Sequence, residues 1–576
     1  MTDLPAIAVI ADAHLHDIDS DFNGASTCIE GTNLTLRSWK DTRKSSRVFN
    51  ESCDALKTAL NDIQQRGIHH VVLLGDYTDD GQIESSNRVA SLLRQYRLKY
   101  DMEFYATPGN HDVYGPAGKH QSTRFVKTPD KTVLVTSNPK IAETEADTSI
   151  LTRKMYCEGS PAGLMPFADC GYFRQSRYIH WETPFGQSDT PASRMYEARS
   201  SDGSAVHSLM DASYLVEPYN GIWLLMIDAN VFEPRNGQTS PLKKNTFLNS
   251  SDAGWNSVLR IKPFLLDWIR DVNTRANLLG KQLYAFSHYP TLDHFNRYKT
   301  NDVRLFGHNE DAKRTPDATV AESLLAAGLT THFSGHLHIN NETHYETDAH
   351  TLSDIAVPSL AAFPACYKCI YPSLQNSFIE TIAIGEMPIN PKLIAYYQSE
   401  NKAIGNKDES ALNATSYGEF LYLRMRTRVR HHYLPKEWPE GIACQIEYTT
   451  TVDLVYFMLA QKLKSQPPAF GLIKEPLASE LKTEFSRLIA KYDLTVQDFV
   501  SCSMLTLIAD WYCMRQASEM ATAYISSGNR KIYVFLGDTL SEPDPAALEP
   551  HAAFFNVFIK ALHLLLKEEI DNSSLL

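Results

Sequence analysis

The run Thr107-Pro108-Gly109-Asn110-His111-Asp112 sets an amide, an imidazole and a carboxylate on consecutive residues behind a Pro-Gly reversal. It follows Phe104-Tyr105-Ala106, so it reads as a strand breaking into a tight turn. An Asx-type turn would account for Asn110 alone. Together the three also make chemical sense. Asn offers a neutral oxygen to a metal, His a nitrogen or a proton, and Asp a means of holding the His in one orientation. Four further polar clusters sit just past apolar runs: Asp12/His14, Asp76, His288 and His336/His338. Singly, each has a bland reading, since D-x-H arises by chance, Gly-Asp is an ordinary turn and a lone His is more often structural. His336 and His338 alternate, so on a strand they would share a face, a moderate metal signal. Two cations held about 3.5–4 Å apart can clamp a phosphoryl group and the oxygen attacking it. Holding them that close needs an anionic bridge, and a carboxylate with two oxygens is the natural one.

Convergence of the clusters depends on the elements beneath them. Ala6–Ile10, Val71–Leu74 and Phe104–Ala106 read as buried strands, with helical spacing over Asn50–Arg66 and Glu84–Tyr100 between them. This βαβαβ-like opening implies a parallel sheet, and open sheets place their sites at the carboxyl ends of strands. After a polar, aromatic-rich stretch, Val113–Tyr219, expected as an insertion of loops and short helices (Lys140–Tyr156 among them), strands resume. They are expected at Gly221–Ile227, Gln282–Phe286, Thr330–Phe333 and within Ser353–Ile384, with helices at Ser257–Ala276 and Thr319–Ala327. The division expected is a catalytic domain over 1–385, a polar linker over 386–417 and a helical accessory domain over 418–576. Within the last, helices are expected at Phe420–Tyr433, Thr451–Leu463, Leu477–Tyr492, Val496–Tyr524 and Ala547–Glu568, and one strand at Lys531–Leu536 before a second Gly-Asp, Gly537-Asp538.

At 576 residues the chain is too long for one ordinary core. A net charge of −13 argues against nucleic acid or an anionic membrane as main partner, while a small anionic substrate could still bind at metal ions. No apolar run approaches the roughly 20 residues of a membrane helix, and Ala6–Ile10, with no basic n-region or cleavage-site pattern, is expected as a first strand rather than a signal peptide, a trimmed export signal being the alternative. Nine scattered cysteines fit a reducing compartment, so a cytoplasmic location is expected. Cys366 and Cys369 form a lone C-x-x-C, and a redox or zinc role would call for a second pair.

In type and order the clusters resemble the calcineurin-like metallophosphoesterases: Asp12-Ala13-His14, Gly75-Asp76, Gly109-Asn110-His111-Asp112, His288 and Gly335-His336-Leu337-His338. The resemblance covers roughly Ala6–Ile384 without the insertion. It implies an α/β fold, a four-layer α/β/β/α sandwich, carrying here a large insertion and a mainly α-helical C-terminal domain. It further implies two metal ions bridged by Asp76, one held by Asp12, His14 and His338 and the other by Asn110, His288 and His336. Mixed nitrogen and oxygen donors without thiolate suit Mn, Fe, Zn, Co or Ni. Water between such metals becomes a hydroxide that attacks phosphorus in line. His111, by the same resemblance, assists the leaving group, and Asp112 either holds its ring or is a plain turn-stabilising carboxylate. Asp79 and Asp80 read either as carboxylates orienting a histidine or as solvated loop charge.

The implied activity is metal-dependent hydrolysis of a small phosphorylated substrate, a nucleotide among the options. A cyclic-nucleotide or other phosphodiesterase is the alternative within the chemistry. An inactive regulatory or scaffolding member of the fold is the alternative outside it, and the intact motifs count against that. Insertion aromatics (Tyr156, Phe167, Tyr172, Phe173, Tyr178, Trp181, Tyr214) could stack on a base but are better read as core. Arg124, Arg174 and Arg177 could reach a phosphate but are better read as surface. Apolar helix faces in the tail could pair two copies of the chain.

Overall fold

The computed structural model describes residues 4–573 apart from 146–147, 244, 308–312, 374–376, 404, 406–409, 464–469, 472–478 and 543. Parts of the expected linker and the start of the helix expected from Leu477 therefore lie outside the described residues. Strand β1 (Ile7–Ile10), helix α1 (Ser52–Gln65), strand β2 (His70–Leu74), helix α2 (Ile83–Tyr100) and strand β3 (Glu103–Thr107) form the parallel opening. Ile10 pairs with Leu73 and Leu74 with Thr107, so the three strands end side by side. The apolar positions of α1 (Cys53, Leu56, Leu60, Ile63) are all buried, as their spacing requires.

Next in chain order come β4 (His180–Glu182), β5 (Tyr214–Tyr219) and β6 (Ile222–Ile227), then α3 (Gly254–Ile261), α4 (Phe264–Leu279) and β7 (Gln282–Ser287). They are followed by α5 (Lys299–Phe306), α6 (Ala318–Ala326), β8 (Thr331–Ser334), β9 (Asn341–Glu346), β10 (Thr351–Ala356), β11 (Cys366–Tyr371) and β12 (Phe378–Ala383). The first sheet runs β12-β11-β1-β2-β3 and the second β9-β10-β8-β7-β6-β5-β4. In the second, β6, β7, β8 and β10 are parallel. Every residue of β6 is buried, and each such aliphatic side chain contributes about 1.5–3 kcal/mol. Trp255, Leu265, Ile269, Val272, Val320 and Leu324 bring α3, α4 and α6 onto this sheet. Thr107 Oγ1 donates to Ile227 O at 3.0 Å and Tyr214 Oη to Ala106 O at 3.0 Å, tying one sheet to the other. The layers are those of the expected sandwich.

By its contacts the chain falls into two compact units, one of residues 1–294 and 314–418 and the other of 295–313 and 419–576. The second unit thus includes α5, which lies in sequence between His288 and His336. Its longer helices in the 419–576 stretch are α8 (Tyr417–Arg428, from Glu419 on), α9 (Thr451–Lys462), α10 (Ser479–Ile489), α11 (Met504–Ala517), α12 (Ser527–Leu540) and α13 (Pro550–Ser573). Among the described residues, no helix is long and apolar enough to cross a membrane.

Several expectations need correction. The stretch expected as linker carries α7 (Pro391–Ala403), whose Tyr397 Oη accepts from Asn50 Nδ2 at 2.7 Å. Val113–Tyr219 is richer in strands than expected: Ser122–Thr128, Lys131–Thr136 and Ser149–Leu151 form a small sheet, Met195–Arg199 pairs with Val206–Met210, and β4 and β5 extend the second main sheet. Lys531–Leu536 is helical, inside α12, because Ile532, Tyr533, Phe535 and Leu536 also fit a 3.6-residue period. Gly537-Asp538 is part of the same helix. Val496–Tyr524 divides, with separate helices at Val496–Ser501 and α11. Cys366 and Cys369, three apart on β11, face opposite sides, and burial pushes both thiols up to about 12, which removes the basis for a redox pair.

Candidate metal centre

Each main-sheet strand that enters the site ends in a tight turn. Asp12 N donates to Gly75 O at 3.1 Å and His14 N to Asp76 O at 2.8 Å, which locks the ends of β1 and β2 together. Gly335 N donates to His288 O at 2.9 Å and does the same for β8 and β7. Asp12, His14, Asp76, His336 and His338 all have positive φ, from 42° to 68°. Such non-glycine geometry costs of order 1–3 kcal/mol per residue and concentrates at functional sites. Neighbouring glycines supply the room. A Cβ on Gly109 would lie 2.1 Å from Asp76 Oδ1, and one on Gly335 2.6 Å from Asp12 Oδ2.

The turns bring together Asp12, His14, Asp76, Asn110, His288, His336 and His338, all buried. Asp12, His14 and His338 form one cluster able to hold a metal, and Asp76, His288 and His336 another. In the first, His14 Nε2 lies 3.1 Å from His338 Nε2, and His338 Nε2 3.2 Å from Asp12 Oδ1. Asp12 Oδ2 accepts from His336 N at 2.9 Å, whereas Oδ1 is buried without a hydrogen bond. Burial, then Arg47, hold the His14 pKa well below its usual value, so the ring is neutral.

The second cluster reveals its requirement through its outer hydrogen bonds. His288 Nδ1 lies 3.0 Å from Leu74 O and His336 Nε2 3.0 Å from Ser251 O. A carbonyl only accepts, so those nitrogens carry the protons and His288 Nε2 and His336 Nδ1 present lone pairs. These two lie 3.2 Å apart, with Asn110 Oδ1 3.3 Å from His288 Nε2. Converging lone pairs beside a buried carboxylate call for a positive charge. Without a metal it is a proton: burial pushes the His288 pKa down, but Asp76 and Asp12 outweigh that and raise it to about 10. A metal cation meets the same need, so the donor set fits one. Asp76 Oδ2 stands between the clusters, 3.8 Å from His14 Nε2 and 3.3 Å from His288 Nε2. Ser251, which sequence reasoning missed, also accepts from Asn110 Nδ2 at 3.1 Å through Oγ. No motif marks it.

His111 sits at the edge of the clusters, its ring 5.0 Å from that of His14 and its N–H donating to Asp76 Oδ1 at 2.7 Å. The expectation that Asp112 holds this ring is wrong. Asp112 accepts from Gly109 N at 2.9 Å and from Thr78 N and Oγ1 at 3.0 Å, so it closes the turn. Burial, then Asp76, raise its pKa to about 7. The ring is held instead by Asp80, whose Oδ1 lies 2.7 Å from His111 Nδ1. Burial and Arg47 disfavour the charged imidazole, but Asp76 and Asp80 outweigh them, and the His111 pKa stands above its usual value. Arg47, another residue the sequence did not single out, lies 3.5 Å from His111 Nδ1. Asp228 reaches no ligand: it pairs with buried Lys262 at 2.9 Å.

Phe167, Tyr172, Trp181 and Tyr214 from the insertion are buried. Tyr172 Oη meets Tyr77 Oη at 3.3 Å and Trp181 Nε1 donates to Gly171 O, so these rings build core. Arg124 pairs with Glu145 and Arg177 with Glu103, both at the surface.

Residues 5–153 match the sequence profile described as calcineurin-like phosphoesterase. That stretch belongs to the calcineurin-like phosphoesterase family. The family implies divalent metal ions, and the two clusters are candidate groups for holding them. His288, His336 and His338 lie beyond the matched residues, and the fold brings them back to the family's motifs. No curated protein sequence matches the chain. Among solved structures, a dimetal phosphatase from Danio rerio is similar at 13% identity, with 66% of this chain and 96% of that one covered and a TM-score of 0.33. A putative 5'-nucleotidase from Staphylococcus aureus is similar at 11% identity, with 69% and 58% covered and a TM-score of 0.28.

Proposed function

We propose that the two clusters form a dinuclear metal centre that hydrolyses phosphoesters. Asp12, His14 and His338 hold one cation, Asn110, His288 and His336 the other, and Asp76 is shared. The approach of His288 Nε2 and His336 Nδ1 to 3.2 Å beside Asp76 carries this reading, because their outer nitrogens are committed to carbonyls and the facing pair is set to meet a shared positive charge, which a metal ion supplies. Neutral His14 and His336, whose pKa values burial holds well below the usual one, are in the protonation state that ligation needs. The donors suit Mn, Fe, Zn, Co or Ni. When bound, such cations stabilise the phosphoryl oxygens and acidify water.

The remaining steps belong to the chain. Hydrogen bonds to Leu74 O and Ser251 O fix the tautomers of two ligands, and the one to Asp12 Oδ2 fixes the turn carrying a third. His111, protonated at Nδ1 toward Asp80, keeps Nε2 for the leaving oxygen and delivers a proton there. Asp80 stabilises the imidazolium before transfer.

Purified protein should hold close to two transition-metal ions per chain, and Asp76→Asn clearly fewer. The loaded protein should hydrolyse members of a panel of mono-, di- and cyclic phosphoesters. Full metal occupancy in Asp76→Asn would show that the shared ligand is misassigned. Loaded protein inert toward the whole panel would sink the hydrolase reading.

A further inference from the structure

We propose that Arg47 is a catalytic residue that binds a phosphoryl oxygen of the substrate. The inference rests on the dinuclear reading above. Arg47 comes from the stretch between the Asp12-Ala13-His14 turn and α1, outside the family's motifs. Its guanidinium is enclosed, with 11% of the side chain exposed, and it stands beside the reacting groups. Its Nη2 lies 3.5 Å from His111 Nδ1 and 3.6 Å from Asp80 Oδ1, and its charge acts on His14 and Asp76.

A purely structural arginine would use its whole fork. Among the described residues every side-chain hydrogen bond of Arg47 comes from Nη2, to Asp79 O and Asp79 Oδ1 at 2.9 Å, and the nearby His111 Nδ1 cannot accept, because it donates to Asp80. Nε is buried with no partner. A guanidinium has five N–H donors in a rigid plane matched to carboxylate and phosphate, and a buried donor left unpaired is a standing cost. Asp79 meanwhile has a second cation, Arg37 Nη1, at 3.3 Å, so Arg47 is more charge than this carboxylate requires. The Phe49 ring lies 3.9 Å from the Arg37 guanidinium and 5.5 Å from that of Arg47, which braces both. The result is an anchored cation with unused donors at the edge of a site for a phosphorylated molecule. A phosphoryl oxygen carries more negative charge as the leaving bond breaks, so the contact strengthens toward the transition state.

Two variants and two readouts test this on the metal-loaded full chain. Binding of inorganic phosphate, measured by calorimetry, should weaken about 10- to 100-fold in Arg47→Met, the range of a lost charged hydrogen bond. It should change little in Asp79→Asn, which keeps the cation. Metal content should stay at the wild-type level in both, and kcat/KM should fall more in Arg47→Met. Equal phosphate affinity in Arg47→Met and wild type would overturn the assignment. So would equal loss in the two variants, which would make Arg47 a positioning residue for the Asp79-Asp80 turn. Failure of the dinuclear reading shows separately, as loss of metal or of phosphate binding in wild type.

Discussion

At the scale of single residues, the two carboxylates near His111 have different tasks that measurement can separate. Asp80→Asn should lower kcat by about 10–100-fold, the usual effect of removing a group that orients a functional histidine, and leave metal content unchanged. The loss should shrink for nitrophenyl esters, whose leaving group needs no proton. If Asp112→Asn gave that signature and Asp80→Asn did not, the hydrogen bonding described above would be assigned to the wrong partner. A second residue-scale prediction concerns Asp354, a fully buried carboxylate whose Oδ1 lies 3.0 Å from His332 Nδ1. Burial alone would raise its pKa, but His332 and His294 outweigh this and hold it well below the usual carboxylate range. A depressed carboxylate stabilises the fold above its unfolded pKa of about 4, and the contribution is lost as pH falls through the folded value. Asp354→Ala should therefore cost about 3–5 kcal/mol at pH 7. In urea melts the gap from wild type should narrow below about pH 4, and a gap independent of pH would refute the charge argument. The residues that the fold brings together were legible in the sequence because each follows a visible apolar run. Their partners were not: Asp79, Asp80 and Asp112 are equal as letters, and only turn geometry decides which one meets His111.

At the scale of elements, the site is a set of strand ends that must stop in register. Gly109 shows how little slack they have. Its φ is not positive, so alanine there carries no backbone strain, yet the added Cβ would fall 2.1 Å from Asp76 Oδ1. Gly109→Ala should displace the shared carboxylate and lower metal content, with a stability loss of about 1–3 kcal/mol from overpacking. Unchanged metal content by elemental analysis would mean that the turn yields and the packing argument fails. The parallel core could be read from sequence because β1 and β2 are short apolar runs bounded by polar turns. The insertion was harder. Ser122–Thr128 and Lys131–Thr136 bury consecutive residues over part of their length and expose the rest, so their alternation is weak against a polar background. Lys531–Leu536 failed in the opposite way, since six residues cannot separate a buried strand from one face of a helix.

At the scale of the whole molecule, the second unit is assembled from two stretches of chain. Residues 295–313 leave the catalytic unit after β7 and carry α5 into the helical unit. There Arg515 holds Asp302 through two hydrogen bonds, at 2.7 and 2.8 Å, and Phe306 lies among Trp438, Trp511 and Phe554. Arg515→Ala should loosen this attachment, and limited proteolysis should then cut between 295 and 313 faster than in wild type. Equal cutting rates would show that the aromatic contacts suffice without the ion pair. The membership of α5 was not legible in the sequence, because on its own it is an ordinary amphipathic helix. Heredity is constrained as a result. A lineage that lost the tail would keep α5 with its apolar side bare and Asp302 without its arginine. Relatives that end near position 418 should therefore have shortened or rewritten 295–313, so the two stretches should be gained and lost together.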